Sequence, residues 1–337
     1  MARFVLRRLL QSLVVLAGVV VLTFAVARLV PGDPAVAYAG PRAGAEELEA
    51  VRQELGLDKP ALVQLGDYAS GIVTGDWGTA LHTKQPVLED LGRVIPPTLE
   101  LVGAALLLAV LIGVPLGVLA ARRGGWVDGV IRVGSMLLVS APTFLLALVL
   151  QLILFRQLDL FPVAGEYDPE LDYTSPLTVL TNMTVVDALL TGNWAMLGSA
   201  LHHLVLPCLA VAAYPIGVIA QMTRASLLQE LGEDHVRMAR ALGFSERVIA
   251  SRLALRPALN PVVSIVALVF AYALVNTFLV ESIYNWPGLG SYAVASIRAL
   301  DVPAIIGVTV FIGIVYVLAN LAVDLIQAWL DPRISLR

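Results

Sequence analysis

The sequence is poor in the residues that build metal and catalytic sites. It contains one cysteine, Cys208, and four histidines among 337 residues, so a disulfide framework within the chain is excluded and no metal-ligand cluster is expected. Cys208 lies in an apolar run and is predicted to be structural, and the adjacent His202 and His203 are predicted to point in different directions on a helix. The Gly-x-x-x-x-Gly-Lys-Ser/Thr motif is absent from the sequence. The chain therefore cannot itself hold ATP phosphates in such a loop, and it is not predicted to be an enzyme.

Charged residues are also scarce. They make up 14% of the chain, against 58% hydrophobic residues, and the mean hydropathy is +0.83, which excludes an ordinary soluble domain. The net charge is only −4, so the overall charge argues against a nucleic-acid partner. The composition is typical of a helical membrane protein.

Several apolar runs exceed the roughly 20 residues that a helix needs to cross a bilayer about 30 Å thick. They predict an all-α, multi-pass membrane protein with six spans. The predicted spans are 9–29, 98–121, 130–155, 203–224, 258–280 and 303–328. We expect the first span to be retained rather than cleaved as a signal peptide.

The distribution of basic residues orients these spans. If the N-terminus lies inside, fourteen of the 22 Lys and Arg residues fall in inner segments and at inner span ends. The outer loops hold most of the acidic residues. This is the positive-inside pattern, and it predicts that both termini are cytoplasmic.

The outer segments are too short for an independent enzyme, but they suffice as a docking surface. Residues 30–97 are predicted to contain a helix, Ala45–Leu55, and Thr98 is predicted to cap the second span. Residues 156–202 form a long loop that is rich in proline and acidic residues. The third segment, 281–302, carries Trp286, Pro287 and Gly288, and its Asp301 is placed to cap the last span.

The most informative feature is a hydrophilic island, residues 226–256, between two spans on the predicted cytoplasmic side. It is predicted to form two short helices separated at Gly243, which suits the left-handed position after a helix end. Asp234 is placed to cap the first helix. His235, Met238, Ala239 and Leu242 then fall on one largely apolar face. Such a face needs a partner protein or the lipid surface to cover it.

Polar residues within the predicted spans are candidates for a translocation path, because exposing them to lipid is costly. We favour Gln221 and Asn276, because their spans flank the island. Hydrogen bonds between neighbouring helices would explain either residue equally well. Gly113 and Gly117 are spaced for close helix packing, and Pro142 is expected to bend its span.

The island resembles the signature cytoplasmic loop of binding-protein-dependent ATP-binding-cassette importers. That loop reads Glu-Ala-Ala, three residues, Gly, nine residues, Ile-x-Leu-Pro. Here Arg237, Met238 and Ala239, then Gly243, then residues 253–255 hold the spacing, although Arg237 stands at the Glu position. The rest of the chain is similar to the peptide/nickel branch of these permeases, above all to the first permease subunit of dipeptide and oligopeptide importers. The marks of that similarity are Arg7-Arg8, residues 31–34, 55–60, 75–78, Glu281, 287–290, 301–303, Asp324 and 331–333.

The resemblance implies a permease subunit of the prokaryotic inner or plasma membrane that imports dipeptides or oligopeptides. Its partners would be a homologous second permease, two ATPase subunits that carry ATP and Mg²⁺, an extracytoplasmic substrate-binding protein, and membrane lipid; no cofactor would bind this chain. Residues 1–97 would form the first helix and an outer region, and residues 98–337 the permease core.

The resemblance also implies roles for individual residues. The 226–256 loop would couple to the ATPases, and Trp286, Pro287 and Gly288 would contact the binding protein. In the loop, Met238, Ala239 and Leu242 would be the buried anchors, Arg237 would meet the rim of the ATPase, and Gly243 and Phe244 would close the helix.

Other cargoes and mechanisms stay open at this stage. The same importer class could carry nickel chelates, glutathione or oligosaccharides. A secondary transporter working alone and a non-transport membrane scaffold are the alternatives from other classes. No inverted repeat of broken spans and no buried acid chain for proton coupling is evident in the sequence, which argues against the secondary transporter.

Overall fold

The computed structural model describes the backbone of residues 2–29, 34–40, 42–54 and 56–330. The described residues form helices and connecting turns, with one isolated β-bridge between Thr79 and Pro86. Residues 31–33, Leu55 and residues 331–333, which carry part of the family resemblance, lie outside the described residues. So do the side chains of Arg7, Arg8 and Asp324.

The first half of the chain contains, in order, α1 (Ala2–Leu29), α2 (Pro34–Ala39), α3 (Ala45–Glu54), α4 (Ala61–Thr74), α5 (Val87–Arg123) and α6 (Gly125–Ser140). Helix α7 (Thr143–Leu150) continues as a π-helix over Gln151–Gln157, and two short helices, α8 (Leu171–Thr174) and α9 (Thr184–Thr191), lie in the loop that follows. The predicted helix Ala45–Leu55 is confirmed over its described residues.

The second half contains α10 (Trp194–Leu231), α11 (Asp234–Ala241), α12 (Glu246–Val248), α13 (Leu255–Ile283), α14 (Leu289–Arg298) and α15 (Val302–Leu330). A π-helical segment, Ile249–Ala254, joins α12 to α13. Asp301 Oδ1 accepts a hydrogen bond from the Ala304 backbone N–H at 3.2 Å, so the predicted cap of the last span is confirmed.

Four helices in the described part of the chain are long and apolar enough to cross a membrane: Val87–Arg123, Trp194–Leu231, Glu246–Ile283 and Val302–Leu321. They contain three of the predicted spans in full and the first nineteen residues of the fourth, 303–328. The predicted span 130–155 is not a straight helix, because α6 and the α7 segment meet at an angle of 103°. Pro142 lies at this break, where its missing N–H and its ring disrupt a continuous helix. Counted as one bent span, this pair makes five; the described apolar part of α1 is the shorter segment Leu13–Val26.

The second span begins earlier than predicted. Helix α5 starts at Val87, so Thr98 lies inside the helix and does not cap it, and Glu100 is not in its first turn. The helix also runs through residue 97, where the sequence placed the boundary between the outer region and the core. Thr98 instead contacts Glu281, 183 residues away, and this long-range contact has no local sequence signal.

Helix α10 is the centre of the bundle. In its apolar 18-residue stretch 78% is buried, compared with 28–39% in the corresponding stretches of the other three long helices. Small residues allow this close packing: a Cβ on Gly117 would come within 2.6 Å of the Ala220 carbonyl oxygen, and one on Gly113 within 3.0 Å of the Ile216 carbonyl oxygen. On the other side of α10, a Cβ on Gly217 would come within 2.6 Å of the Ser135 carbonyl oxygen. The packing role predicted for Gly113 and Gly117 is confirmed.

Candidate functional site

The island forms a short helix with a sharply defined end. Gly243 has φ +81°, its N–H donates to the Arg240 carbonyl at 3.0 Å, and the Phe244 N–H donates to the Ala239 carbonyl at 3.1 Å. This pair of hydrogen bonds is the Schellman arrangement, which holds the chain rigidly as it leaves α11. The predicted left-handed glycine is confirmed. The predicted cap is displaced by one residue, because Glu233 is the N-cap and Asp234 is the first helical residue.

The two faces of α11 differ from the prediction. Val236 and Ala239 are buried and belong to a cluster inside the chain with Leu227, Ile249, Ala254 and Ala258. Met238, Leu242 and Phe244 point outward with 65%, 66% and 51% of their surface exposed. Ala239 therefore anchors α11 to its own chain rather than offering a contact to a partner. We call Met238, Leu242 and Phe244 the apolar knob.

Charged side chains surround the apolar knob. Arg240 forms a bidentate pair with Glu246, with Nε to Oε1 at 2.7 Å and Nη2 to Oε2 at 3.2 Å, and so ties α11 to α12. Arg237 is more exposed and lies 3.3 Å from an oxygen of Asp234 within the same helix. Exposed pairs of this kind contribute little to stability. Arg237 therefore remains accessible at the rim of the knob.

Gln221 and Asn276 lie on two helices that pack against each other, α10 and α13. The Tyr214 and Tyr272 rings join these helices, with centroids 4.3 Å apart. The Asn276 side-chain amide donates to the Tyr272 carbonyl at 2.8 Å, a bond within its own helix. Gln221 lines a cavity of about 410 Å³ towards the inner end of α10. The structure thus puts both residues along one helix–helix seam, though not in contact with each other.

The segment 281–302, which the sequence predicted to be an outer docking surface, packs against the rest of the chain. The Trp286 side chain is only 1% exposed, and its indole N–H donates to the Pro97 carbonyl at 3.0 Å. Gly288 is also buried, because a Cβ there would lie 2.4 Å from a Glu281 carboxylate oxygen. Trp286 and Gly288 are therefore not exposed for contact in this structure, and their expected contact with a binding protein stays a prediction. Pro287 alone of the three residues is exposed.

A hydrogen-bonded hub explains this packing. The buried Glu281 carboxylate accepts from the Thr98 hydroxyl at 2.8 Å and from the Gly290 N–H at 2.7 Å, and the Thr98 oxygen accepts from the Leu289 N–H at 2.7 Å. Three elements, α5, α13 and α14, are thereby joined around one carboxylate. In the sequence Glu281 stood out only as a mark of the family resemblance; its burial explains the hub, because a buried carboxylate needs several hydrogen-bond donors.

A second group of carboxyl groups holds the outer loop 158–193 on α5. Glu100 Oε1 accepts from the Val185 and Val186 N–H groups at 2.8 and 3.1 Å, and Glu166 accepts from the Thr184 hydroxyl at 3.0 Å. One oxygen of each glutamate is buried without a hydrogen-bond partner among the described residues. Burial, together with the Glu100 and Glu281 carboxylates nearby, raises the pKa of Glu166 to about 7, against the opposing effect of the Thr184 hydrogen bond.

The histidines and the cysteine take structural positions. His202 lies 2.9 Å from the Leu160 carbonyl, and His203 lies 2.9 Å from the Ser199 carbonyl, so the two rings have different partners, as predicted. Cys208 is free and buried in the main apolar cluster. Among the described residues, no group of three or more His, Cys, Asp or Glu side chains could hold a metal ion.

Comparison with known protein families decides the class of the chain. Residues 113–336 match the family described as binding-protein-dependent transport system inner membrane component, and residues 1–101 match the N-terminal part of such membrane components. The chain belongs to this family. It is thus a membrane permease subunit, and the expected localisation in the inner membrane is confirmed.

Individual relatives of the permease match over nearly its whole length. A probable D,D-dipeptide transport system permease protein of Escherichia coli is 42% identical over 95% of this chain and 94% of its own length. A dipeptide transport system permease protein of Alkalihalophilus pseudofirmus is 34% identical over 99% and 100% of the two chains. The E. coli protein named dipeptide transport system permease is 35% identical over 99% of each chain. The predicted family resemblance is confirmed.

Proposed function

We propose that this permease is one of two membrane subunits in an ATP-driven importer of dipeptides or oligopeptides. The names of its relatives support peptide cargo. In this proposal a second permease completes the path, two separate ATPase subunits bind ATP and Mg²⁺ and hydrolyse the nucleotide, and an extracytoplasmic binding protein delivers the peptide. Of the three predicted docking residues, Pro287 is the exposed one and is the first to test as a contact for that protein.

The proposed topology has six spans with both termini in the cytoplasm. Its support comes from the four long apolar helices, the bent pair α6–α7 and the apolar part of α1. The arginine-rich inner segments supply the orientation. In this topology α11 and its apolar knob face the cytoplasm, whereas α4, α9 and α14 lie on the outer side.

The apolar knob is the observation that carries the coupling role. Three large apolar side chains stand exposed on a short helix and on the turn that ends it at Gly243, while the other face of the helix is buried. A rigid apolar projection with a charged rim has the form of a helix that enters a groove on a partner protein. We propose that the groove belongs to the ATPase, with Arg237 at its rim. Closure of the ATPases would then move α11 and, through the buried contacts of Val236 and Ala239 with Leu227 of α10 and Ala258 of α13, the long helices behind it.

A charge placed on the apolar knob tests this role. In the proposed complex Leu242→Asp would bury an unpaired carboxylate, so the ATPases should dissociate and peptide uptake should be lost. Leu190→Asp is the matched control, since Leu190 has nearly the same exposure, 65%, but lies in α9 on the outer side. Co-purification of the ATPases with each variant and uptake by membrane vesicles are the measurements. Arg237→Glu should have a milder effect, because its side chain is largely solvated.

Two results would contradict the coupling role. Full uptake by Leu242→Asp with the ATPases still bound would show that the knob is not the contact. The knob would then belong to a helix lying on the membrane surface. Equal loss of the ATPases in Leu242→Asp and Leu190→Asp would show that any exposed charge of this kind disrupts assembly.

A further inference from the structure

Polar and aromatic side chains continue along the seam between α10 and α13. On α13, Tyr272 and Asn276 are one turn apart, and on α10, Tyr214 and Gln221 are two turns apart. The contact between the two tyrosine rings aligns these pairs. Exposing such groups to lipid would be costly, which favours a seam that faces a water-filled path.

The inner end of the seam opens into the cavity that Gln221 lines. Helix α6 supplies Arg132, Ser135 and Met136 to its wall, and α10 supplies Arg224 beside Gln221. Arg132 lies about 10 Å along α6 from the helix start, on the side of the bilayer that the proposed topology makes cytoplasmic. The remaining wall is apolar and includes Val218, Met222 and Ile265.

The cavity has an uncompensated positive charge. Arg224 binds the Asp128 carboxylate through two nitrogens: Nε donates to Oδ1, and Nη2 donates to Oδ2 at 2.7 Å. Arg132 is on the same face of α6 one turn after Asp128. No acidic side chain among the described residues forms an ion pair with Arg132. Two guanidinium groups and one carboxylate leave a net charge of +1 at the cavity.

We propose that this cavity binds the C-terminal carboxylate of the transported peptide on its way to the cytoplasm. This inference rests on the proposed function of the chain. The planar guanidinium of Arg132 matches a carboxylate through two parallel hydrogen bonds, and the amide of Gln221 and the hydroxyl of Ser135 are further polar groups in the wall. Met136 and Met222 are flexible and polarisable, so they suit side chains of varied shape. The site thus recognises the invariant end of a peptide and tolerates its variable part.

Photocrosslinking in the assembled complex tests this site. A photoreactive amino acid replaces Met136, and tritiated alanyl-alanine is supplied with the binding protein to membrane vesicles that contain the whole importer. We expect the dipeptide to crosslink during ATP turnover. Arg132→Gln should reduce crosslinking about tenfold, as expected for the loss of a charge-assisted hydrogen bond. Arg132→Lys, which keeps the charge but not the fork, should give an intermediate value.

The controls distinguish loss of binding at this cavity from failed assembly of the complex and from failure of the proposed function. Arg123→Gln removes an exposed arginine at the end of α5, outside the cavity, and should leave crosslinking unchanged. The elution profile of each complex in detergent shows whether it has assembled. Undiminished crosslinking in an assembled Arg132→Gln complex overturns the site but leaves the importer assignment intact. Failure of the unmodified importer to take up any peptide overturns the proposed function, and the inference falls with it.

A phospholipid phosphate has a charge that the same guanidinium could bind. Native mass spectrometry of the complex with phosphatidylglycerol distinguishes this outcome. Loss of one bound lipid in Arg132→Gln, with peptide crosslinking unchanged, would assign the cavity to lipid and overturn the proposal. Loss of crosslinking without loss of lipid supports it.

Discussion

At the scale of single residues, the protonation of Glu166 makes the stability of the folded chain depend on pH. Its pKa of about 7 lies above the usual value of 4.5, chiefly because of burial. Between these two values the unfolded chain releases a proton that the folded chain keeps. The contribution of this residue to stability is therefore fully present below about pH 4.5, falls as the pH rises to about 7, and is constant above that. Complete loss would amount to at most about 3 kcal/mol.

Replacement of Glu166 by glutamine should remove this pH dependence. We expect Glu166→Gln and the unmodified complex to have similar melting temperatures at pH 4.5, and the variant to melt at a higher temperature at pH 8. Thermal unfolding of the detergent-solubilised complex at several pH values is the measurement. Glu170→Gln removes a charge from an exposed position of the same loop and serves as the control. A difference between variant and unmodified complex that stays the same from pH 4.5 to 8 would show that Glu166 does not keep its proton in the folded state.

At the scale of elements, α14 is held against α5 and α13 by buried contacts rather than presented as a free loop. Trp286 fills the junction, and the Glu281 carboxylate accepts hydrogen bonds from both neighbours. The docking role expected for this tryptophan came from the family resemblance and from its place in a predicted outer segment. The burial of its ring shows that it packs within the chain.

Truncation of this tryptophan should therefore destabilise the permease as a whole. Trp286→Ala should cost about 3–5 kcal/mol through the cavity that it leaves and the lost hydrogen bond to Pro97. Basal ATP hydrolysis and hydrolysis stimulated by the loaded binding protein should decrease together. Pro287→Ala, at the exposed neighbouring position, should leave the melting temperature unchanged. A selective loss of stimulation in Trp286→Ala, with normal stability, would restore the docking interpretation.

At the scale of the whole molecule, the long helices surround α10, and the two ends of the bundle carry different structures. One end, which the proposed topology places in the cytoplasm, has α11 with its apolar knob. The opposite end has the Glu281 hub and the loop that carries Glu166. The buried α10 (Trp194–Leu231) passes between these ends and leads directly into the island.

Cysteine labelling tests the orientation of the two ends. In a Cys208→Ser background, cysteines at Ser245 and Glu170, both exposed in this structure, should differ in accessibility. An impermeant maleimide should label Glu170→Cys in intact cells and Ser245→Cys only after permeabilisation. The background without an added cysteine should not be labelled. Labelling of both positions from outside would exclude the topology with both termini in the cytoplasm.

The class of the protein and several local features could be predicted without a structure. Apolar runs and arginine-rich inner segments predicted a helical membrane protein, and the spacing around Gly243 carried its resemblance to importer permeases. The glycine after α11, the aspartate before α15 and the glycines of α5 are recognisable because their effects depend on neighbouring residues or on helix spacing.

The directions of individual side chains, by contrast, depend on how the helices pack against each other. The tertiary structure turned Ala239 inward and Met238 outward on α11, buried Trp286 against a carbonyl 189 positions earlier, and placed Thr98 inside a helix. It also bent the third predicted span by 103°, where a proline predicted a bend but not its angle. These outcomes depend on contacts between segments far apart in the chain, whereas sequence periodicity and capping rules describe only residues within a few turns of each other.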